Sequence, residues 1–317
     1  MSISSEQPYL DAARPPLSEG RTIVHASHVQ PSRLSTLVVL FKLRIVTLLL
    51  FAGIAGAFMA VGGVPTWSSL ALLCFGGGLA AAGASALNQY WEAARDALMV
   101  RTRRRPLVTK AIAQPQWVPY VGIGLIVAPV LIVAPFNLAL ACWSLLGALI
   151  YVGVYTIWLK PRTTLNIVIG GLAGSCAVLS GGAAVGAWSD PGVIGLALLL
   201  FWWTPTHFWS LAIVYRDDYA KVNVPMLPVR TTLHRAALWI LFHSVATGAM
   251  ALALSLHATL GLLYLAIALP ATGHLLWLSY QLLLAPQLRQ AKALFMTSNL
   301  YLTIILLAIC LDVVLGK

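Results

Sequence analysis

The chain has 317 residues, of which 60% are hydrophobic and only 9% charged, with a formal net charge of +11. An average soluble domain carries about 25% charged residues, and a folded chain of this size has too little interior to hide so much apolar surface. These figures exclude a water-soluble globule and place the chain in a bilayer.

Residues 1–33 mix Ser and Pro with Glu6, Asp11, Arg14, Glu19 and Arg21 and contain no apolar run. The segment matches neither a signal peptide nor an Arg-rich, acid-poor transit peptide. A disordered cytoplasmic tail is expected there, followed by one transmembrane domain over 34–317. A helical crossing takes about 20 apolar residues. Stretches free of Asp, Glu, Lys and Arg run over 45–91, 111–159, 163–189, 191–215, 236–288 and 293–311. The first, second and fifth are each long enough for two crossings, with turn-like breaks at Gly62-Gly63-Val64-Pro65, Ala134-Pro135-Phe136-Asn137 and Ser255-Leu256-His257-Ala258. The expected fold is all-α, a polytopic membrane protein with nine transmembrane helices.

Alternating nine spans from an inside N-terminus puts 19 of the 20 Lys and Arg residues on one face, with Lys317 the exception. Short cytoplasmic loops collect such residues, so the positive charge reads as topology: N-terminus in the cytoplasm, in the inner (cytoplasmic) membrane of the cell. No basic helix interleaved with exposed aromatics appears outside the membrane-flanking loops, and nucleic-acid binding is not expected. Cys74, Cys142, Cys176 and Cys310 lie within apolar spans without metal-ligand spacing and read as small buried hydrophobes.

The nine acidic residues are more informative. Three lie in the tail, Asp190 and Asp312 at predicted outer ends, and Glu92, Asp96, Asp217 and Asp218 at the inner interface after spans two and six. Asn88, Glu92 and Asp96 are spaced i, i+4, i+8, which stacks them on one helix face. Such hard oxygen ligands suit Mg²⁺, which binds through one or two carboxylates plus substrate phosphate oxygens. Arg101, Arg103, Arg104, Arg105 and Lys110 follow at once and can neutralise phosphate charge. A charged helix end obeying the positive-inside rule explains these arginines without explaining the acidic row. The second cluster runs from Tyr215 through Arg216, Asp217, Asp218, Tyr219 and Lys221 to Pro225 and Pro228. Two carboxylate sets on one face can hold metal on either side of a diphosphate.

This pair of motifs in a nine-span chain resembles the UbiA superfamily of intramembrane prenyltransferases, and most closely its protoheme IX farnesyltransferase (heme O synthase) branch. The likeness is carried by Asn88-x-x-x-Glu92-x-x-x-Asp96-x-x-Met99-x-Arg101-Thr102 with Arg105-Pro106, and by Tyr155-Thr-Ile-Trp-Leu-Lys160. It continues in Asn166-Ile-Val-Ile-Gly-Gly171, Thr204-Pro205-x-His207-Phe-Trp209, and Asp218-Tyr219 leading into Val224-Pro225-Met226-Leu227-Pro228. It covers roughly residues 35 to 312. The chain departs from the branch at Ala173–Val178, where a proline pair is common, and at Thr206, where a second proline is common.

The resemblance implies a helical bundle with a cytoplasmic-side active site and Mg²⁺ as cofactor. The implied reaction moves a farnesyl group from farnesyl diphosphate to a vinyl group of heme B, with addition of water, giving heme O. Beyond these substrates the implied partners are membrane lipid and contact with heme A synthase or terminal oxidase assembly. Asn88, Glu92, Asp96 and Asp218 are the expected catalytic and metal-holding residues, with Asp217 a further metal candidate. Arg101, Arg105 and Lys221 are expected on the diphosphate, and Asp217, His207 and Tyr155 also toward substrate. His207 could serve as an axial heme ligand or a polar contact to a heme propionate, with His243 and His274 less well placed. Tyr90, Trp91, Tyr155, Trp202, Trp203 and Trp209 are candidates to line a cavity that shields an allylic cation. Other acceptors, an aromatic quinone precursor or a chlorophyll-type ring, would use the same diphosphate motifs. A membrane transporter fits less well, because its ionisable sites usually lie near the midplane. A non-catalytic assembly subunit would not need paired carboxylate clusters.

Overall fold

The computed structural model describes residues 32–315. The expected tail lies outside the described residues up to residue 31, and a short helix, Arg33–Leu40, begins at once, its N-terminus capped by the Ser32 hydroxyl. Among the described residues eight helices are long and apolar enough to cross a bilayer. They are the first span (Leu43–Val61), second (Trp67–Asp96), fourth (Leu138–Leu159), fifth (Asn166–Ala184), sixth (Pro191–Val214), seventh (Leu233–Leu254), eighth (Leu262–Leu284) and ninth (Leu288–Leu315). The third, Trp117–Val133, is apolar but has 17 residues, the short end of the range that spans a hydrocarbon core. The nine expected crossings are therefore eight long helices and one short one.

The boundaries follow from local chemistry. Gly62 ends the first span with φ +58°, the left-handed conformation that glycine adopts without a Cβ clash. Thr66, Asn137, Asp190 and Thr232 cap the second, fourth, sixth and seventh spans by accepting backbone N–H groups. The eighth span has no cap of its own. Asp312 of the ninth span supplies one, accepting from Gly261 N at 2.5 Å and Tyr264 N at 2.9 Å.

Consecutive spans pack as neighbours from the second through the ninth, and the ninth returns to pack on the first and sixth. The first and fifth spans touch backbone to backbone. A Cβ built on Gly181 would lie 1.7 Å from the Gly53 carbonyl oxygen, the kind of approach that small residues permit between helices in lipid. The fifth span lacks the proline pair, yet its regular helix is interrupted at Gly171, between Asn166–Gly170 and Leu172–Ala184. The cysteine expectation is corrected: Cys176 is buried and Cys310 half-buried, but Cys74 and Cys142 are exposed on the bundle surface. A thiol facing lipid gains little from burial in protein, because the tails are as apolar as the core.

Candidate active site

The site begins on one face of the second span. Asn88, Glu92 and Asp96 are each no more than 3% exposed. Tyr90 and Trp91, two and three residues along from Asn88, are exposed on another face, so neither lines the site. Gln89 ties this helix to the segment before the first span, donating to the Val39 carbonyl at 2.6 Å and the Leu40 carbonyl at 2.9 Å.

That tie places Lys42 over the acidic row. Its Nζ donates to Asn88 Oδ1 at 2.5 Å and to the Tyr151 hydroxyl at 3.0 Å. Lys42 adopts a left-handed backbone, φ 49°, and burial, then the nearby Arg105 guanidinium, holds its ammonium well below the usual lysine range. Asn88 Nδ2 in turn donates to Glu92 Oε2 at 3.1 Å and Thr156 Oγ1 at 2.9 Å. Glu92 pairs with Lys160, and Asp96 with Arg105 at 2.5 Å.

Lys160, Thr156 and Tyr151 reach the site together because the fourth span is not an α-helix at this end. Residues Ile150–Leu159 form a π-helical segment, with Lys160 N bonded to the Tyr155 carbonyl five residues back at 2.9 Å. Nine residues of α-helix, at about 100° each, would put Tyr151 and Lys160 on opposite sides. The wider i→i+5 turn, roughly four and a half residues, brings both onto the side facing the second span. Tyr155 stacks on Tyr151 with centroids 5.9 Å apart, and Lys160 Nζ lies 5.6 Å from the Tyr155 ring.

The second cluster closes the site from the sixth span. Asp218, on the short helix Arg216–Lys221, is 5% exposed. Its Oδ2 accepts from Arg101 N at 3.3 Å, and Lys221 approaches Oδ1 at 4.0 Å. Arg101 also reaches the Tyr219 hydroxyl at 3.5 Å and lies 5.9 Å from the Tyr215 ring. Asp217, its neighbour on this helix, is exposed and does not belong to the buried acidic set. Arg103 and Arg104 are exposed as well.

Tyr151 and Tyr155 are also part of the wall of an apolar chamber of about 270 Å³ inside the bundle. Spans one, two, four, five, six and nine line it, with Trp203, Thr204, His207 and Phe208 contributed by the sixth. Gly170 lets the Tyr155 ring lie against the fifth span, since a Cβ there would fall 2.7 Å from Tyr155 Cδ2. Trp202 and Trp209 do not line the chamber; both rings instead pack around His243. His243 bonds the Trp239 carbonyl at 2.8 Å, and His274 is exposed.

Among the described residues no three His, Cys, Asp or Glu side chains are grouped to enclose one ion. The oxygen set of Asn88, Glu92, Asp96 and Asp218 is therefore not a closed cage. It suits a cation that takes one or two carboxylates and leaves its remaining positions to water and substrate phosphate, as Mg²⁺ does. Sequence reasoning read Lys42 as topology, gave Lys160 and Thr156 no role beyond topology and the Tyr155-to-Lys160 motif, and passed over Tyr151. The one available signal was Lys160 closing the Tyr155-to-Lys160 motif.

The UbiA prenyltransferase family model matches residues 49–303. A protein of Paramagnetospirillum magneticum named protoheme IX farnesyltransferase 2 is 39% identical over 290 residues, covering 90% of this chain and 99% of its own. A protoheme IX farnesyltransferase of Metallosphaera sedula is 39% identical over 273 residues, covering 86% of this chain and 94% of its own. Among solved structures, a UbiA homologue from Aeropyrum pernix superposes with a TM-score of 0.65 at 20% identity, covering 85% of this chain and 98% of that one. A UbiA homologue from Archaeoglobus fulgidus, bound to DMAPP and Mg²⁺, superposes with a TM-score of 0.60 at 15% identity, covering 86% and 99%. With most of its length matched and its bundle shared, the chain belongs to the UbiA prenyltransferase family.

Proposed function

We propose that this chain transfers a farnesyl group from farnesyl diphosphate to a vinyl group of heme B, with addition of water, giving heme O. The observation that carries the reading is the junction at Tyr151 and Tyr155, where a set of buried carboxylates with their paired cations meets an aromatic-lined apolar chamber. An allylic diphosphate needs both halves. Its leaving group gathers negative charge as the C–O bond breaks, and preorganised cations stabilise that charge. Arg105 and Lys160 supply them beside the acidic row, Arg101 and Lys221 beside Asp218, and the buried Lys42 amine adds a hydrogen-bond donor. Asn88, Glu92, Asp96 and Asp218 would hold Mg²⁺, directly or through water, and the bound ion would supply Lewis-acid stabilisation to the diphosphate leaving group. The chamber keeps water from the allylic cation, and the Tyr155 and Trp203 rings in its wall stabilise that charge. His207 lines the same chamber and contacts the acceptor.

The acceptor is taken from the relatives' names. The diphosphate is proposed to dock from the cytoplasm, because nearly all the basic residues lie at that end, and the heme O formed is passed toward heme A synthase or terminal oxidase assembly. Membranes containing the protein, supplied with farnesyl diphosphate, Mg²⁺ and heme B, should yield a heavier, more hydrophobic heme. Absence of that product alongside prenylation of a phenolic acid would replace heme with a quinone precursor.

A further inference from the structure

His207 stands in the chamber wall between two aromatic rings. The centroids of Trp203 and Phe295 lie 4.6 Å and 4.7 Å from it, inclined at 13° and 29°. Its Nδ1 is 2.9 Å from the Ser298 hydroxyl of the ninth span. The Ser298 hydroxyl has one proton to give and two acceptors in reach, this imidazole nitrogen and the Phe295 carbonyl at 2.8 Å. When the proton goes to the carbonyl, Ser298 accepts from the imidazole, Nδ1 carries the proton and Nε2 has the free electron pair. The Ser298 backbone is anchored too, its carbonyl accepting from Trp203 Nε1 at 2.8 Å. One indole thus stacks on the histidine and fixes the residue that orients it.

An imidazole protonated on one nitrogen, with that N–H bonded to an oxygen, is the form in which histidine binds a transition metal through the other nitrogen. We infer that Ser298 is a positioning residue that holds His207 in the Nδ1–H tautomer and presents Nε2 to the iron of the acceptor heme. The inference rests on heme B being the acceptor. The hydroxyl acts through the imidazole, whose plane the stacking against Trp203 and Phe295 holds.

The test is a titration of the purified protein in detergent with heme B, reading affinity and, in the ferrous state, the iron–imidazole stretching band. Ser298→Ala is expected to weaken heme binding by about 10- to 100-fold and to shift the band to lower frequency. Ser298→Thr, which keeps the hydroxyl, should restore both, and His207→Ala should lack the band. Ser298→Cys, a weaker acceptor of similar size, should give a smaller shift of the same sign, so the reading does not depend on how well the alanine variant folds. Wild-type affinity and band position in Ser298→Ala and Ser298→Cys would overturn the inference, as would a wild-type band in His207→Ala. Failure of the acceptor assignment shows separately, as a wild-type protein that makes no farnesylated heme while prenylating a phenolic acid.

Discussion

Lys160 of the fourth span and Glu92 of the second form an ion pair whose side chains are only 11% and 4% exposed. Removing one member of a buried pair leaves the other charge without compensation, at about 3–5 kcal/mol. Lys160→Met should lower thermal stability and abolish turnover. Lys160→Met combined with Glu92→Gln should recover most of the stability and none of the activity. A double variant no more stable than the single one would show that the pair is not what the lysine contributes.

Asp96→Asn keeps an oxygen for Arg105 and removes the charge. The folded protein should remain in the membrane with a lowered melting temperature, because Arg105 loses the charge of its buried partner, while kcat falls by about 10²- to 10³-fold, the scale of losing one electrostatic element of a transition state. Normal heme O production by this variant would remove Asp96 from the site.

Lys42 combines a buried amine, bonded to Asn88 and Tyr151, with an unfavourable backbone. Lys42→Ala and Lys42→Gly both lose the bonds to Asn88 and Tyr151, and both should lose turnover. Glycine carries no left-handed penalty, so Lys42→Gly should be the more stable of the two by about 1 kcal/mol, measured by thermal unfolding in detergent. The reverse order would refute strain at this position.

Gly181→Ala sets a Cβ against the Gly53 carbonyl and should prevent the first and fifth spans from docking, seen as loss of monodisperse protein after extraction. Gly124→Ala, where a Cβ meets nothing within 4 Å, should be tolerated.

At the opposite end of the bundle, Asp312→Ala removes the borrowed cap of the eighth span. The expected cost is about 0.5–2 kcal/mol with kcat unchanged, since Asp312 bonds Gly261 and Tyr264 rather than any residue of the site. A variant that lost catalysis while keeping its melting temperature would contradict that purely structural role.

The spans were legible because lipid excludes charge, so the six long gaps between charged residues mark the crossings, and turn-like breaks divide the three longest into two each. Only the third came out short, its helix starting at Trp117 just after Pro115 rather than at the edge of the charge-free stretch. The row Asn88, Glu92, Asp96 was legible because α-helical periodicity holds through that end of the second span. Lys160 was not, because the rule relating spacing to direction fails in a π segment: by α-helical counting it points away from Tyr151. Nor could Asp217 be separated from Asp218, since adjacent residues on a six-residue helix offer no periodicity to choose between them. Ser298 shows a different limit. It sits 91 positions from His207 in an apolar stretch, and only tertiary packing brings its hydroxyl to the imidazole.

Each buried carboxylate of the site already has a cation of its own: Glu92 with Lys160, Asp96 with Arg105, Asp218 with Lys221. A diphosphate entering this arrangement competes with the carboxylates for the same lysines and arginines. As those cations turn to phosphate, the carboxylates are released to a divalent ion, so the anion and the metal should bind with positive cooperativity, each strengthening the other. Without the diphosphate, the same pairs keep the carboxylates occupied and weaken metal capture by the resting protein.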